Sequence, residues 1–159
     1  MRAPLANGLR ASLPWLALAV LSLPGMAASA YLTYSHYVDE PTECAGIGSC
    51  EYVQTSEYSD VAGIPVALMG LGYFFAIAIL ASARLLRFQP ALNWGTPVAF
   101  MMAVGGTAFV AYLTFVELFV IDAICPWCVA VAVMTAISLG LVLWARREEA
   151  AEEDALEPP

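Results

Sequence analysis

Four stretches of this chain contain no Asp, Glu, Lys or Arg: 28 residues between Arg10 and Asp39, 23 between Asp60 and Arg84, 29 between Arg87 and Glu117, and 23 between Asp122 and Arg146. Each exceeds the roughly 20 apolar residues that carry a helix across a bilayer core. Lipid offers no partners to backbone amides and carbonyls, so each run must satisfy its own hydrogen bonds as a helix. The chain therefore reads as an all-α membrane protein, a four-transmembrane-helix bundle. Composition agrees: 61% of residues are hydrophobic and 13% charged, against about 25% charged in a soluble domain. Six Arg, no Lys and fourteen acids leave a net charge of −8, which makes nucleic acid a poor partner and membrane lipid the expected surroundings.

The arginines set an orientation. Arg2 and Arg10 precede the first run, Arg84 and Arg87 separate the second from the third, and Arg146 and Arg147 follow the fourth. With an even number of spans all six fall on one side, which the positive-inside rule makes cytoplasmic along with both termini. Asp39, Glu40, Glu43, Glu51, Glu57, Asp60, Glu117 and Asp122 fall on the other. Trp15, Trp94, Trp127 and Trp144, with Tyr31, Tyr34 and Tyr37, are expected at the headgroup level as anchors. A rival reading takes residues 1–30 as a secretory signal, with Ala28-Ser29-Ala30 as the cleavage site. The apolar stretch continues to Val38, longer than a signal core, so the segment is read as a retained span.

Residues 1–11 form an N-terminal segment, 12–145 the four-helix domain, and 146–159 an acidic tail with six acids that is expected to be disordered. The helices are expected over 12–37, with Pro24 as a kink, and over 64–86, 95–120 and 126–144. An outer loop spans 38–63, and 87–94 and 121–124 are short links. Ala99, Ala103, Thr107 and Ala111 form a small-residue stripe suited to close helix packing. The chain has no room for a soluble catalytic domain, so its chemistry must lie in the bundle and the one outer loop.

Both cysteine pairs fall at the outer end. Cys44 and Cys50 lie in the loop, and Cys125-Pro126-Trp127-Cys128 opens the last helix. Pro126 suits the first helical position, placing Cys125 at or next to the N-cap, where free N–H groups and the positive dipole end favour a thiolate. Cys128, one turn further in, would complete a dithiol–disulfide couple. A couple at the lipid edge can meet a lipid-soluble electron carrier, and a second in the loop can meet a protein. Two other readings stay open: a four-cysteine zinc site, and purely structural disulfides in a non-catalytic, stapled membrane scaffold or subunit.

These residues, taken in order, resemble the vitamin K epoxide reductase family in its bacterial branch. The resemblance rests on Cys44-x5-Cys50, Ser56, Gly63-Ile64-Pro65, Gly70, Tyr73 and Cys125-Pro126-Trp127-Cys128, and covers residues 13–144. It implies a four-helix bundle around a quinone, ubiquinone or menaquinone, in the bacterial cytoplasmic membrane. It also implies a quinone-dependent thiol–disulfide oxidoreductase that reoxidises a thioredoxin-fold extracytoplasmic disulfide oxidase and so supports disulfide formation in exported proteins. Cys125 and Cys128 would be the active-site pair, with Cys128 nearest the quinone. Cys44 and Cys50 would be the shuttle pair, with Cys50 exchanging with Cys125. Ser56 matches a loop position that supports the site by hydrogen bonding; a helix cap is an equal reading. No metal is implied. The animal enzymes carry a Tyr where this chain has Ala132, so plain quinone reduction is expected in preference to epoxide reduction. Many bacterial relatives fuse a thioredoxin-like domain after the bundle; here the partner is expected to be a separate protein. His36, Glu117 and Asp122 are read as interfacial residues, with proton handling as the alternative. Met69, Tyr73, Phe74 and Phe75 are read as either pocket-lining or lipid-facing.

Overall fold

The computed structural model describes residues 3–38, 42, 44 and 48–156. Asp39, Glu40 and Glu43 lie outside them. The four expected spans are four long helices: α1 (Ala3–Val38), α3 (Val66–Leu85), α4 (Gln89–Val116, prolonged by a π-helical turn over Glu117–Ile121) and α5 (Pro126–Leu156). Between α1 and α3 lie a short helix, α2 (Cys50–Gln54), and a two-stranded hairpin, β1 (Asp60–Val61) with β2 (Ile64–Pro65). All four long helices contain windows long and apolar enough to cross a membrane, within Arg10–Val38, Val66–Leu85, Gln89–Ile121 and Pro126–Ala155. The protein is a multi-pass membrane protein.

The bundle is packed differently at its two ends. At the end away from the cysteines, Trp15 and Leu18 of α1 meet Ile77 and Ala81 of α3, Ala99 and Ala103 of α4, and Val142 and Ala145 of α5 in one buried cluster. Four of these eight are alanines, and small side chains let helix backbones approach where lipid provides no hydrophobic drive. The small-residue stripe of α4 thus packs at Ala99 and Ala103, while Ala111 faces outward. An ionic knot closes the same end. Arg84 pairs with Glu149, Thr96 donates to the same carboxylate at 2.9 Å, and Arg84 Nη1 donates to the Leu92 carbonyl at 2.8 Å. The Arg84 guanidinium also sits 4.8 Å from the centre of the Trp15 ring. One arginine therefore ties all four helices together.

That knot explains two departures from the expected layout. Trp15 is not a headgroup anchor: it is 3% exposed and lies under Arg84. The acidic tail is not disordered through its length, because α5 continues to Leu156. Glu149 is anchored to Arg84, Trp144 Nε1 donates to Glu148 at 2.9 Å, and Ala and Glu are strong helix formers. Elsewhere the expected 87–94 link is mostly helix. Pro90 sits in the first turn of α4, where its missing N–H costs nothing, and Arg87, with φ of 54°, makes the turn. The segment 60–65 forms a hairpin turning at Ala62 and Gly63, both with positive φ, the backbone of a tight hairpin loop. Helix α1 runs unbroken through Pro24.

At mid-bundle α1 and α3 touch closely. A methyl group at Gly25 would stand 2.6 Å from the ring of Phe74, itself 1% exposed. Gly25→Ala should therefore overpack this contact and destabilise the bundle by about 1–3 kcal/mol, read as a lowered unfolding midpoint in detergent; an unchanged midpoint would mean the two helices separate freely.

Candidate functional site

The other end of the bundle is open where the first is closed. A cavity of about 320 Å³ lies between the four long helices and beneath the loop carrying α2. Its walls are mostly apolar, with Leu32, Met69, Phe109, Val110 and Leu113 among them. Tyr73 and Thr135 line its inner part, and the Tyr73 hydroxyl is hydrogen-bonded to Ser138 Oγ. Gly70, Gly105 and Ala132 leave flat wall where side chains would intrude. Met69 and Tyr73 thus line the cavity, Phe74 is core and Phe75 is exposed. Glu117 and Cys128 line it near the cysteine end.

The last helix starts as the Pro126 spacing predicts. Val129 N–H donates to the Cys125 carbonyl at 3.0 Å, the first helical bond, and Cys128 N–H donates to Cys125 Sγ at 3.4 Å. Cys125 is therefore the N-cap, with its sulfur in the place usually taken by a Ser or Asp oxygen. The neighbouring Cys128, through its side chain and its backbone N–H, holds the Cys125 thiol below the ordinary cysteine range, against the opposing effects of its burial and of the Glu117 charge. Among the described residues Cys125 and Cys128 are thiols, while Cys44 and Cys50 are joined in a disulfide with Cα atoms 5.9 Å apart.

The loop is seated on the turn that leads into α5. Ser49 N–H donates to the Ile124 carbonyl at 3.0 Å. Gly48 makes this possible: its φ is +87°, and a Cβ there would lie 2.5 Å from the Ile124 oxygen and 2.9 Å from Pro126 Cδ. The backbone contact delivers Cys50 to Cys125. Both are buried, at 1% and 0% exposure, in one cluster with Val53, and Cys44 and Cys128 pack against it. All four sequence-identified cysteines thus meet in one place. Cys44 is the more open sulfur of the disulfide.

Ser56 lies just past α2, and its Oγ donates to the Val53 carbonyl at 2.7 Å. It therefore caps the C-terminal end of that helix, the second of its two readings, and it also lines the cavity. His36 faces Asp60 at 3.6 Å in a separate polar cleft beside Glu51 and Thr55. Asp122 is exposed, with a φ of 52° at the end of the π turn.

Of two further residues at the site, Gln54 carries no signal in the sequence and Glu117 reads first as interfacial, with proton handling as the alternative. Gln54 Nε2 lies 3.8 Å from Cys128 Sγ and donates to it; nothing in the spacing marked it. Glu117 is not a marker of the membrane boundary. It is 6% exposed, and its carboxylate takes hydrogen bonds from the Cys128 thiol and the Cys125 backbone N–H. The π-helical turn that begins at Glu117 widens the end of α4, and such insertions often occur at functional sites.

If the Gly48 contact holds the loop down, Gly48→Ala should undock it. The left-handed backbone alone costs a non-glycine residue roughly 1–2 kcal/mol, which is on the order of a tenfold rise in the undocked population. Maleimide labelling of reduced Cys125 should rise by about that factor, and unchanged labelling would show that Gly48 does not govern docking.

The model for the vitamin K epoxide reductase family matches residues 16–143, which takes in the cavity walls, the loop and all four cysteines. Redox enzymes of this family act at membrane cysteines and work with quinones. The match covers most of the chain, which belongs to the vitamin K epoxide reductase family.

Proposed function

We propose that the protein carries electrons from a thioredoxin-fold partner outside the cytoplasm, through two cysteine pairs, to a membrane quinone, and so supports disulfide formation in exported proteins. The observation that carries this reading is the placement of Cys50 against Cys125, beside a ligand-sized apolar cavity walled by Cys128.

The cavity suits a quinone head group. Its volume lies at the lower end of the range of about 300–1,000 Å³ typical of small-molecule sites, its walls are apolar, and Ser29 Oγ on its α1 wall is buried without a hydrogen-bond partner. An orphaned buried hydroxyl costs stability unless a ligand satisfies it. Met69, Phe109, Val110 and Leu113 would hold the ring, Ser29 would meet a carbonyl oxygen, and Cys128 would face the ring from the cysteine end. When bound, the quinone supplies the sink for two electrons, and ubiquinone or menaquinone would serve.

The chain's own residues supply the relay. A partner thiolate attacks Cys44, the less buried of the two loop cysteines, and breaks the loop disulfide, releasing Cys50 as a thiolate beside Cys125. Cys50 then attacks Cys125 of the Cys125–Cys128 disulfide and expels the Cys128 thiolate; a second thiol of the partner displaces Cys44 as the partner leaves oxidised, and the Cys44 thiolate attacks Cys50, re-forming Cys44–Cys50 and releasing Cys125. In this reading the exchange ends with the loop pair joined and the helix pair as thiols. A Cys125 thiol held below the ordinary cysteine range makes Cys125 a good leaving group when Cys44 closes on Cys50.

The described arginines, Arg10, Arg84, Arg87, Arg146 and Arg147, all sit at the end opposite the cysteines. By the positive-inside rule, we place that end and both termini in the cytoplasm and the cysteines on the outer face of a bacterial cytoplasmic membrane.

The test is quinone reduction by the purified protein in detergent, with a reduced thioredoxin-fold protein as donor and a short-chain quinone as acceptor. Wild type should turn over, and Cys128→Ala and Cys44→Ala should each lose activity by at least about 100-fold. Loss in Cys128→Ala alone would mean that the partner reaches Cys125 directly. Full activity in Cys128→Ala would sink the reading, and no turnover in wild type would favour a stapled scaffold.

A further inference from the structure

Glu117 is an ionisable group at a depth where one is costly. It lies within the span Gln89–Ile121 and is 6% exposed. Such residues in membrane segments usually pair with a cation or serve a function. No described arginine or histidine faces it. The described arginines are at the far end of the bundle, and His36 is committed to Asp60 in the separate polar cleft. Its hydrogen-bond donors are the Cys128 thiol and the Cys125 backbone N–H. The other titratable groups lining its cavity are Tyr58, from the segment after α2, and Tyr73 of α3, which is engaged with Ser138. Asp122, which follows on the same turn, is exposed.

A carboxylate that served only packing would gain nothing over a leucine here, and one that served only as an acceptor could be an amide. What a carboxylate adds is the capacity to take up a proton. The one thiol it touches is the thiol that faces the cavity.

We propose that Glu117 is a catalytic proton carrier, taking the proton of the Cys128 thiol as the Cys125–Cys128 bond forms and delivering it into the cavity. This rests on the reading that electrons leave Cys128 for a quinone. The balance is as follows. The Cys128 S–H bond breaks and its proton moves to the Glu117 carboxylate. Cys125, as a thiolate whose proton has already gone to water, closes on Cys128 to form the disulfide. Two electrons pass to the quinone, one proton follows from Glu117, a second comes from water, and the quinol results. Glu117 ends ionised, ready for the next cycle.

Glu117→Gln keeps the shape and the hydrogen-bonding ability of the side chain but removes its proton uptake, and Glu117→Asp keeps the carboxylate on a shorter arm. In Glu117→Gln, quinone reduction should fall by about 100-fold or more, and its dependence on pH should flatten. Glu117→Asp should recover part of the rate. Partner-driven reduction of Cys125–Cys128, measured without quinone by mass-tagged maleimide, should fall far less in Glu117→Gln than quinone reduction does. Infrared difference spectra between the oxidised and reduced quinone-free protein should show a shifted carboxylate band in wild type, as the neighbouring Cys128 changes between disulfide and thiol, that is missing in Glu117→Gln.

A wild-type protein that fails to reduce quinone overturns the underlying reading rather than this step. Active wild type with Glu117→Gln equally active at every pH overturns the proton carrier. Loss of exchange among the cysteines in Glu117→Gln, with no recovery in Glu117→Asp, also overturns it and makes Glu117 a structural support for the turn.

Discussion

The site depends on one backbone contact, the Ser49 N–H on the Ile124 carbonyl. Ile124 immediately precedes the N-cap of α5, so whatever docks there also covers Cys125. Gly48 permits the approach with a backbone that other residues adopt only under strain. Two residues later, Cys50 begins α2 and enters the buried cluster against Cys125. The same α2 then places Val53 and Gln54, and the turn after it Ser56, over the mouth of the cavity. Register, burial of the cysteine pairs and closure of the cavity all follow from a loop being fixed to the start of a helix.

The bundle divides its labour by side-chain size. Alanines at 81, 99, 103 and 145 close one end into a packed cluster, and the Arg84–Glu149 pair locks it. Helices fixed together at one end can stand apart at the other without loss of the fold, and this leaves the space between them that the cavity occupies. A salt bridge in this position costs desolvation, but Thr96 and the Leu92 carbonyl complete its hydrogen bonding. The arrangement puts rigidity far from the chemistry and leaves the cysteine end to the loop.

Much of this was legible in the chain itself. Gaps between charges located the four spans, because a charge in lipid is costly enough to leave a clear mark on a sequence. Cys-Pro-Trp-Cys located the start of α5, because proline tolerates few helical positions. What could not be read depended on tertiary contact. Trp15 carries the chemistry of a headgroup anchor, yet packs under an arginine 69 positions away in sequence. The acidic tail has the composition of a solvated end, yet Glu149 meets Arg84 and the helix runs on. Glu117 looked like a boundary residue because its apolar run ends there; the π-helical turn that brings it to Cys128 has no pattern of its own. Gln54 is an ordinary polar residue until α2 is seated beside Cys128.

The central claim is that electrons cross from the loop to the last helix between Cys50 and Cys125. It is tested most directly in a Cys44→Ala, Cys128→Ala protein, which leaves only those two thiols. Mild oxidation of the purified membrane protein, followed by proteolysis and mass spectrometry, should yield an intramolecular Cys50–Cys125 disulfide as the main product. If both cysteines instead stay free or cross-link only between molecules, the two pairs do not meet in the working protein and the relay is wrong.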